Sequence, residues 1–233
     1  MKDIMAIKDK HKGQTAFIAA CGPSLQEYTK QQYQNEIEDD VVICVKQAQY
    51  EFVEECDYHF INDNNLVYYS YSDKTEIITA SGMGKFNFRP FCSKPVSYFF
   101  PIKDGFSINN TVAGKEDFSL NEFDSSDKIV TWGPGIMYET VIPFIVHCGF
   151  SHIKFIGWDY TLNNQDGHLN HFYGHQNRRV FHNPSAPLGN NEANLIIESS
   201  NVLYDYLSEK GITSEILSTK SRISDSFPRR VLK

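Results

Sequence analysis

Apolar residues in this chain come in short unbroken runs of strand length, parted by polar stretches with helical spacing. Thr15-Ala16-Phe17-Ile18-Ala19-Ala20-Cys21 is the first run, and Asp40-Val41-Val42-Ile43-Cys44-Val45 and Tyr58-His59-Phe60-Ile61-Asn62 follow it. Runs of this kind suit strands covered on both faces. Met1 to Gly13 is a charged, helix-like lead-in, and Leu25 to Gln34 reads as a helix with a polar face. Strand, helix and strand at this spacing predict a parallel sheet with crossover helices.

From residue 80 to about 127 the pattern breaks into aromatics mixed with prolines and polar residues, which predicts short strands and loops in a small inserted subdomain or lid. Regularity returns at Lys128-Ile129-Val130-Thr131. Ile136 to Cys148 is apolar all round, as a buried helix is. His152 to Gly157 is the next strand and delivers Trp158-Asp159-Tyr160 at its carboxyl end. A polar loop over 161–190 precedes a helix from Glu192 to Lys210 with an apolar stripe, then a last strand from Ile212 to Leu217. The expectation is an α/β chain of one Rossmann-like domain over residues 1–233. Its sheet is mostly parallel, with helices on both faces.

Composition narrows the class. A hydrophobic content of 41% in 233 residues fills one core. The formal charge of −7 argues against a general nucleic-acid binder, which needs a broad basic face. Five scattered cysteines without a C-x-x-C pair read as reduced, buried thiols of a cytoplasm-like compartment. No apolar stretch is long enough to span a bilayer, so the chain reads as soluble, or peripheral at the inner membrane face. The basic tail carries that last expectation. Arg222, Arg229, Arg230 and Lys233 flank apolar Ile223, Phe227, Val231 and Leu232 in a pattern that favours anionic surfaces, although a solvated C-terminus is the simpler reading.

Two places carry candidate chemistry. Gly22-Pro23-Ser24 lies where the first strand ends, the edge at which open α/β sheets bind ligands. Ser24 at a helix N-terminus suits a phosphate. Ser24 with Glu27 three residues on equally suits a capping box that needs no ligand. The turn is neither a Walker loop nor a dinucleotide fingerprint. The second place is the 161–190 loop, with His168, His171, His175 and His182. Their spacing is not that of a helical metal site, whereas a neutral imidazole near this edge suits a general base. Gly174 lets the backbone turn sharply and singles out His175, while His171, followed by Phe172 and Tyr173, is placed to pack or orient the loop.

Taken in order, these segments resemble a known family. They are Ile18-Ala19-Ala20-Cys21-Gly22-Pro23-Ser24-Leu25, Val45-Lys46-Gln47, Phe60-Ile61-Asn62, Val130-Thr131-Trp132-Gly133, Gly157-Trp158-Asp159-Tyr160 and Asn170-His171-Phe172-Tyr173-Gly174-His175. Together they resemble the bacterial sialyltransferases of glycosyltransferase family 42, GT-A-like enzymes with a Rossmann-type nucleotide-binding domain. The resemblance implies transfer of a nonulosonic acid from its CMP ester to a sugar hydroxyl on a glycan or lipid-linked glycan. Ser24, Gln47, Asn62, Thr131 and Gly133 would then hold CMP, with Cys21, Gly22, Lys46, Trp132 and Asp159 completing the nucleotide site. His175 matches the catalytic base. Tyr160 and Tyr173 are the candidates for two tyrosines that assist the leaving phosphate. A single-phosphate leaving group needs no metal, the chain has no Asp-x-Asp motif, and no cofactor is implied. A homo-oligomer is a further expectation, which no motif of the sequence decides.

The departures fall in the donor site. The family's Asn in the first turn is Cys21, its second-motif Asn is Lys46, and its Ser in the third turn is Trp132. The Gly-Pro-Ser-Leu turn and the Gly-x-Asp strand end are also shared with motility-accessory and 6-hydroxymethylpterin pyrophosphokinase-like proteins. Such a kinase would need Mg²⁺ on carboxylates, with Asp63 and Asp159 best placed. A nucleotide-sugar-binding relative without transfer activity is the third reading.

Overall fold

A computed structural model describes residues 1–62, 69–82, 94–103, 108–133, 135–160, 172 and 189–233. Its strands are β1 (Thr15–Ala19), β2 (Val41–Val45), β3 (Tyr58–Asn62), β4 (Glu76–Gly82), β5 (Tyr98–Ile102), β6 (His152–Ile156) and β7 (Thr213–Ile216). They form one sheet in the order β5-β4-β3-β2-β1-β6-β7, and every pairing is parallel. The predicted α/β class is the observed one.

The apolar runs explain why β1 and β2 lie in the middle. Ala16 and Ile18 of β1 share one core layer with Ile43, Phe60, Phe144 and Phe155. Phe17 and Ala19 point the other way, into a layer with Val42, Cys44, Tyr33 and Phe52. A strand feeding two cores cannot carry polar residues on either face. Cys21, Cys44, Cys56 and Cys148 are free and buried, as expected.

Four local expectations are corrected. The segment after β1 is not a helix from Leu25 to Gln34. A 3-10 turn at Pro23–Gln26 is followed by α1 (Lys30–Glu36), capped by Thr29 and Gln32 in a capping box. The irregular stretch contributes the end of β4 and all of β5 to the main sheet, and its other described residues include short helical turns, among them α2 (Val112–Lys115). The run Lys128–Thr131 supplies one bridge, Val130 to Ile102, rather than a strand. The helix before β6 opens as a π-helical turn, Met137–Val141, and becomes α3 only at Ile142–Cys148. Pro143 has no N–H for the carbonyl four residues back, which loosens the ladder at that point. The last helix, α4 (Gly189–Glu209), precedes β7 as predicted.

The C-terminal segment is knitted into the sheet, against the expectation of a free basic tail. Ile216 pairs with Arg229, and Ile223, Phe227 and Leu232 are buried. Arg230 forms a bidentate pair with Glu36 at 2.9 and 2.6 Å and also reaches Glu215 at 2.9 Å. Arg229 donates to the Ile223 and Ser224 carbonyls. Arg229 and Arg230 are thus held by carboxylates and carbonyls, while Val231 and Lys233 stay exposed. No helix among the described residues is long and apolar enough to cross one.

Candidate functional site

The connection from β1 leads to β2 on one side, while β6 pairs with β1 on the other. The carboxyl ends of β1 and β6 therefore flank the topological switch point, where an open α/β sheet parts and accepts a ligand. Gly22-Pro23-Ser24 and Gly157-Trp158-Asp159-Tyr160 are the two turns at that point.

The turns are joined to each other. The Ser24 amide donates to Asp159 Oδ2 and its hydroxyl to Oδ1, both at 2.7 Å. Ser24 Oγ accepts from the Gly157 amide at 2.9 Å, and the Gly22 amide donates to the Gly157 carbonyl at 2.6 Å. Ser24 is thus neither a capping-box residue nor an open phosphate cap, because Asp159 occupies its donors. Burial pushes the Asp159 carboxyl above the usual range, against the pull of the two Ser24 hydrogen bonds. The glycines serve this approach. A Cβ on Gly22 would lie 2.4 Å from Asp159 Oδ2, and one on Gly157 (φ +71°) 2.1 Å from the Ala20 carbonyl oxygen.

The end of β2 holds the next group. Burial pushes the Cys21 thiol up to about 11, with the Lys46 charge pulling the other way. The thiol donates to the Val45 carbonyl at 3.2 Å and lies 3.7 Å from Gln47 Oε1. Cys21 is therefore a neutral internal tie between β1 and β2. Lys46 has a left-handed backbone at φ +51°. Its carbonyl lies 2.7 Å from Nε2 of fully buried His59, whose Nδ1 lies 2.7 Å from the Tyr71 hydroxyl. Burial pulls His59 down to about 3, so the ring is neutral. A carbonyl only accepts, so Nε2 carries the proton and Nδ1 accepts from Tyr71.

The third turn is held from inside by Asn121. Its Oδ1 accepts from the Thr131 amide at 2.6 Å, and its Nδ2 donates to the Thr131 and Tyr138 carbonyls at 2.8 and 3.1 Å. The Trp132 carbonyl accepts from Val112, and Gly133 lies against Tyr138, where a Cβ would come within 2.8 Å. Tyr160, at φ +50°, points its hydroxyl toward Gly135, 4.0 Å from the position of a Cβ there.

The sequence-derived residues therefore gather at one edge. Cys21, Gly22, Ser24, Lys46, Gln47, Asp159 and Tyr160 lie at the ends of β1, β2 and β6. Asn62 closes β3, paired with Ala80. Thr131, Trp132 and Gly133 follow the Val130 bridge to β5. His168, His171, Tyr173, His175, His182 and Asp63 lie outside the described residues. Phe172 is described, and its amide donates to the Cys21 carbonyl at 2.9 Å while its side chain packs with Cys21 and Leu25. Sequence reasoning missed His59, Asn121 and buried Glu139 on the π-helical turn. A histidine inside a strand and an Asn in an irregular stretch gave no signal. Among the described residues, no group of three or more His, Cys, Asp or Glu side chains could hold a metal ion.

A seven-stranded parallel sheet, with polar turns converging at its switch point, defines a Rossmann-like α/β fold. Neither a protein-family model nor a curated protein matches the sequence. Solved structures do match the fold. The monofunctional alpha-2,3-sialyltransferase Cst-I from Campylobacter jejuni is similar with a TM-score of 0.53 and 16% identity, over 94% of this chain and 81% of that one. The sialyltransferase CST-II, solved with a trisaccharide acceptor and CMP, gives 0.50 and 14% over 94% and 86%. A Maf glycosyltransferase from Magnetospirillum magneticum AMB-1 gives 0.50 and 10% over 99% of this chain and 37% of that chain. The chain has the sialyltransferase-type fold.

Proposed function

We propose that this chain is a metal-independent glycosyltransferase that moves a nonulosonic sugar from a CMP donor to a glycan hydroxyl. The observation that carries the reading is the meeting of the Gly22–Ser24, Lys46–Gln47, Thr131–Gly133 and Asp159–Tyr160 segments at one sheet edge. The fold likeness to sialyltransferases supports it. In this reading Gln47, Asn62 and the Thr131 turn hold the nucleotide, and the Lys46 ammonium offsets the phosphate charge.

The bond that breaks joins the sugar's anomeric carbon to the CMP phosphate oxygen. The acceptor oxygen takes its place, and its proton passes to His175. Hydrogen bonds from Tyr160 and Tyr173 to the departing phosphate lower the barrier as charge develops there. The bond from the amide of Phe172, three residues before His175 in sequence, to the Cys21 carbonyl supports this assignment. A Mg²⁺-dependent pyrophosphokinase would call on Asp159 as a metal ligand, and Asp159 instead accepts a hydrogen bond from Ser24 at each oxygen, which favours the transferase reading.

The test is a thermal-shift panel of CMP, CDP, UDP, GDP and ATP, each with and without Mg²⁺. A ligand of the native state raises the midpoint by mass action. Stabilisation by CMP or a CMP-sugar with no metal added is the expected result. Stabilisation by ATP only with Mg²⁺ would replace the reading with the kinase.

A further inference from the structure

Three successive carbonyls of the turn after β6 are each held by the C-terminal segment. Ser221 Oγ donates to the Trp158 carbonyl at 2.7 Å, and the Arg222 amide donates to the Asp159 carbonyl at 2.8 Å. Arg222 Nη1 donates to the Tyr160 carbonyl at 3.2 Å. The segment that does this is itself fixed. Ser218 Oγ accepts from the Lys220 amide, Ser221 Oγ accepts from the Ile223 amide, and the Ile223 side chain is buried.

Tyr160 needs such a hold, because a left-handed backbone is disfavoured for any residue with a side chain. Strain of this kind persists only where surrounding contacts determine it, and it gathers at functional sites. The same arrangement recurs across β1 at Lys46, also left-handed, whose carbonyl accepts from His59. The two held residues bracket the end of β1. Among the described residues no carboxylate pairs with the Arg222 guanidinium, whose hydrogen bond goes to the Tyr160 carbonyl.

We infer that Arg222 is a positioning residue, which holds the left-handed backbone of Tyr160 and thereby aims its phenol past Gly135 at the departing phosphate. The inference rests on the proposed transfer reaction for the phosphate and on the three carbonyl bonds for the hold. An exposed guanidinium on a carbonyl adds little to folding. Its loss therefore acts on turnover and on the local backbone rather than on global stability.

The experiment compares wild type, Arg222→Ala, Arg222→Lys, Tyr160→Phe and Arg222→Ala/Tyr160→Phe. It measures the thermal midpoint, amide exchange over residues 157–160, CMP affinity, and kcat and KM for a CMP-sugar. Arg222→Ala is expected to keep its midpoint, speed local exchange and lower kcat by roughly 10- to 100-fold, the scale of a small misplacement of a reacting group. KM should hold, Arg222→Lys should recover part of the loss, and the double variant should fall no further than Tyr160→Phe. Losses that multiply, or an unchanged kcat with unchanged exchange in Arg222→Ala, would overturn the assignment. If wild type neither binds CMP nor transfers sugar, the transferase reading fails on its own. The hold is then judged by exchange alone: faster exchange in Arg222→Ala sustains it, and unchanged exchange overturns it.

Discussion

Asp159 takes both polar hydrogens of Ser24, amide and hydroxyl, at 2.7 Å each, and so ties the end of β1 to the turn after β6. Both residues are about 1% exposed. Removing the carboxylate leaves two buried donors without an acceptor, a loss of about 3 kcal/mol. Asp159→Ala should therefore lower the unfolding free energy, read from urea titration, by that amount. Asp159→Asn, which keeps one acceptor oxygen, should lose less. A loss under about 1 kcal/mol for Asp159→Ala would show that the tie contributes little.

Gly157 and Gly211 share a left-handed backbone but differ in surroundings. A Cβ on Gly157 meets the Ala20 carbonyl oxygen at 2.1 Å, whereas one on Gly211 meets nothing within 4 Å. Gly211→Ala should cost only the backbone term, about 1–2 kcal/mol. Gly157→Ala must also push β1 away from the turn and should prevent stable folding, read as loss of a cooperative unfolding transition. Equal midpoints for the two variants would refute the close-approach account.

His175→Ala should cut turnover by roughly 10²–10⁴-fold and leave nucleotide affinity nearly unchanged. A base works only unprotonated, so the wild-type rate should fall as acidification protonates the imidazole. Near-normal turnover in the variant would dismiss His175 as the base.

Lys46 stands where the resembling family has an Asn, and its charge acts beside Cys21. Lys46→Gln should weaken CMP binding by about tenfold and flatten its dependence on salt, since screening acts on the lost charge. An unchanged salt slope in calorimetric titration would place the ammonium away from the phosphate.

The Glu215 carboxyl is held down to about 2, first by His152 and then by Arg230, against the opposing effect of burial. In the unfolded chain it titrates near about 4.3. A depressed carboxyl adds stability that is complete above the unfolded value and disappears as pH falls through the folded one. The thermal midpoint should therefore drop between about pH 4.5 and pH 2. Glu215→Gln should lose part of that slope, and an identical slope would remove Glu215 from the acid response.

What could be read from the residues alone follows the range of the forces involved. β1, β2, β3 and β6 were legible because a strand covered on both faces admits only apolar residues. β5 fell within the stretch read as short strands and loops, and Pro101 in the run concealed its place in the main sheet. Ser24 and Glu27 matched a capping box, but the box that forms is Thr29 with Gln32. Nothing local separates the two matches, since the partner that claims Ser24 lies 135 residues away. The basic tail was legible as charge, yet its direction depended on Glu36 and Glu215, which only the folded sheet brings to Arg230. The positions of Lys46, Gln47 and Asp159 at one edge followed from the strand ends. His59 and Asn121 act through backbone carbonyls and amides, which leave no trace in side-chain pattern.

The 135-residue interval between Ser24 and Asp159 also sets an order on biosynthesis. As the chain emerges, β1 finds β2 early, but its other edge stays open until β6 has been made. Through that interval the Phe17–Ala19 backbone is an apolar strand with a row of unpaired amides and carbonyls, the kind of edge that recruits other chains. Dilute refolding should therefore recover more native protein than concentrated refolding. A solubilising charge on β1 is unavailable as a remedy, because both faces of that strand end in the core.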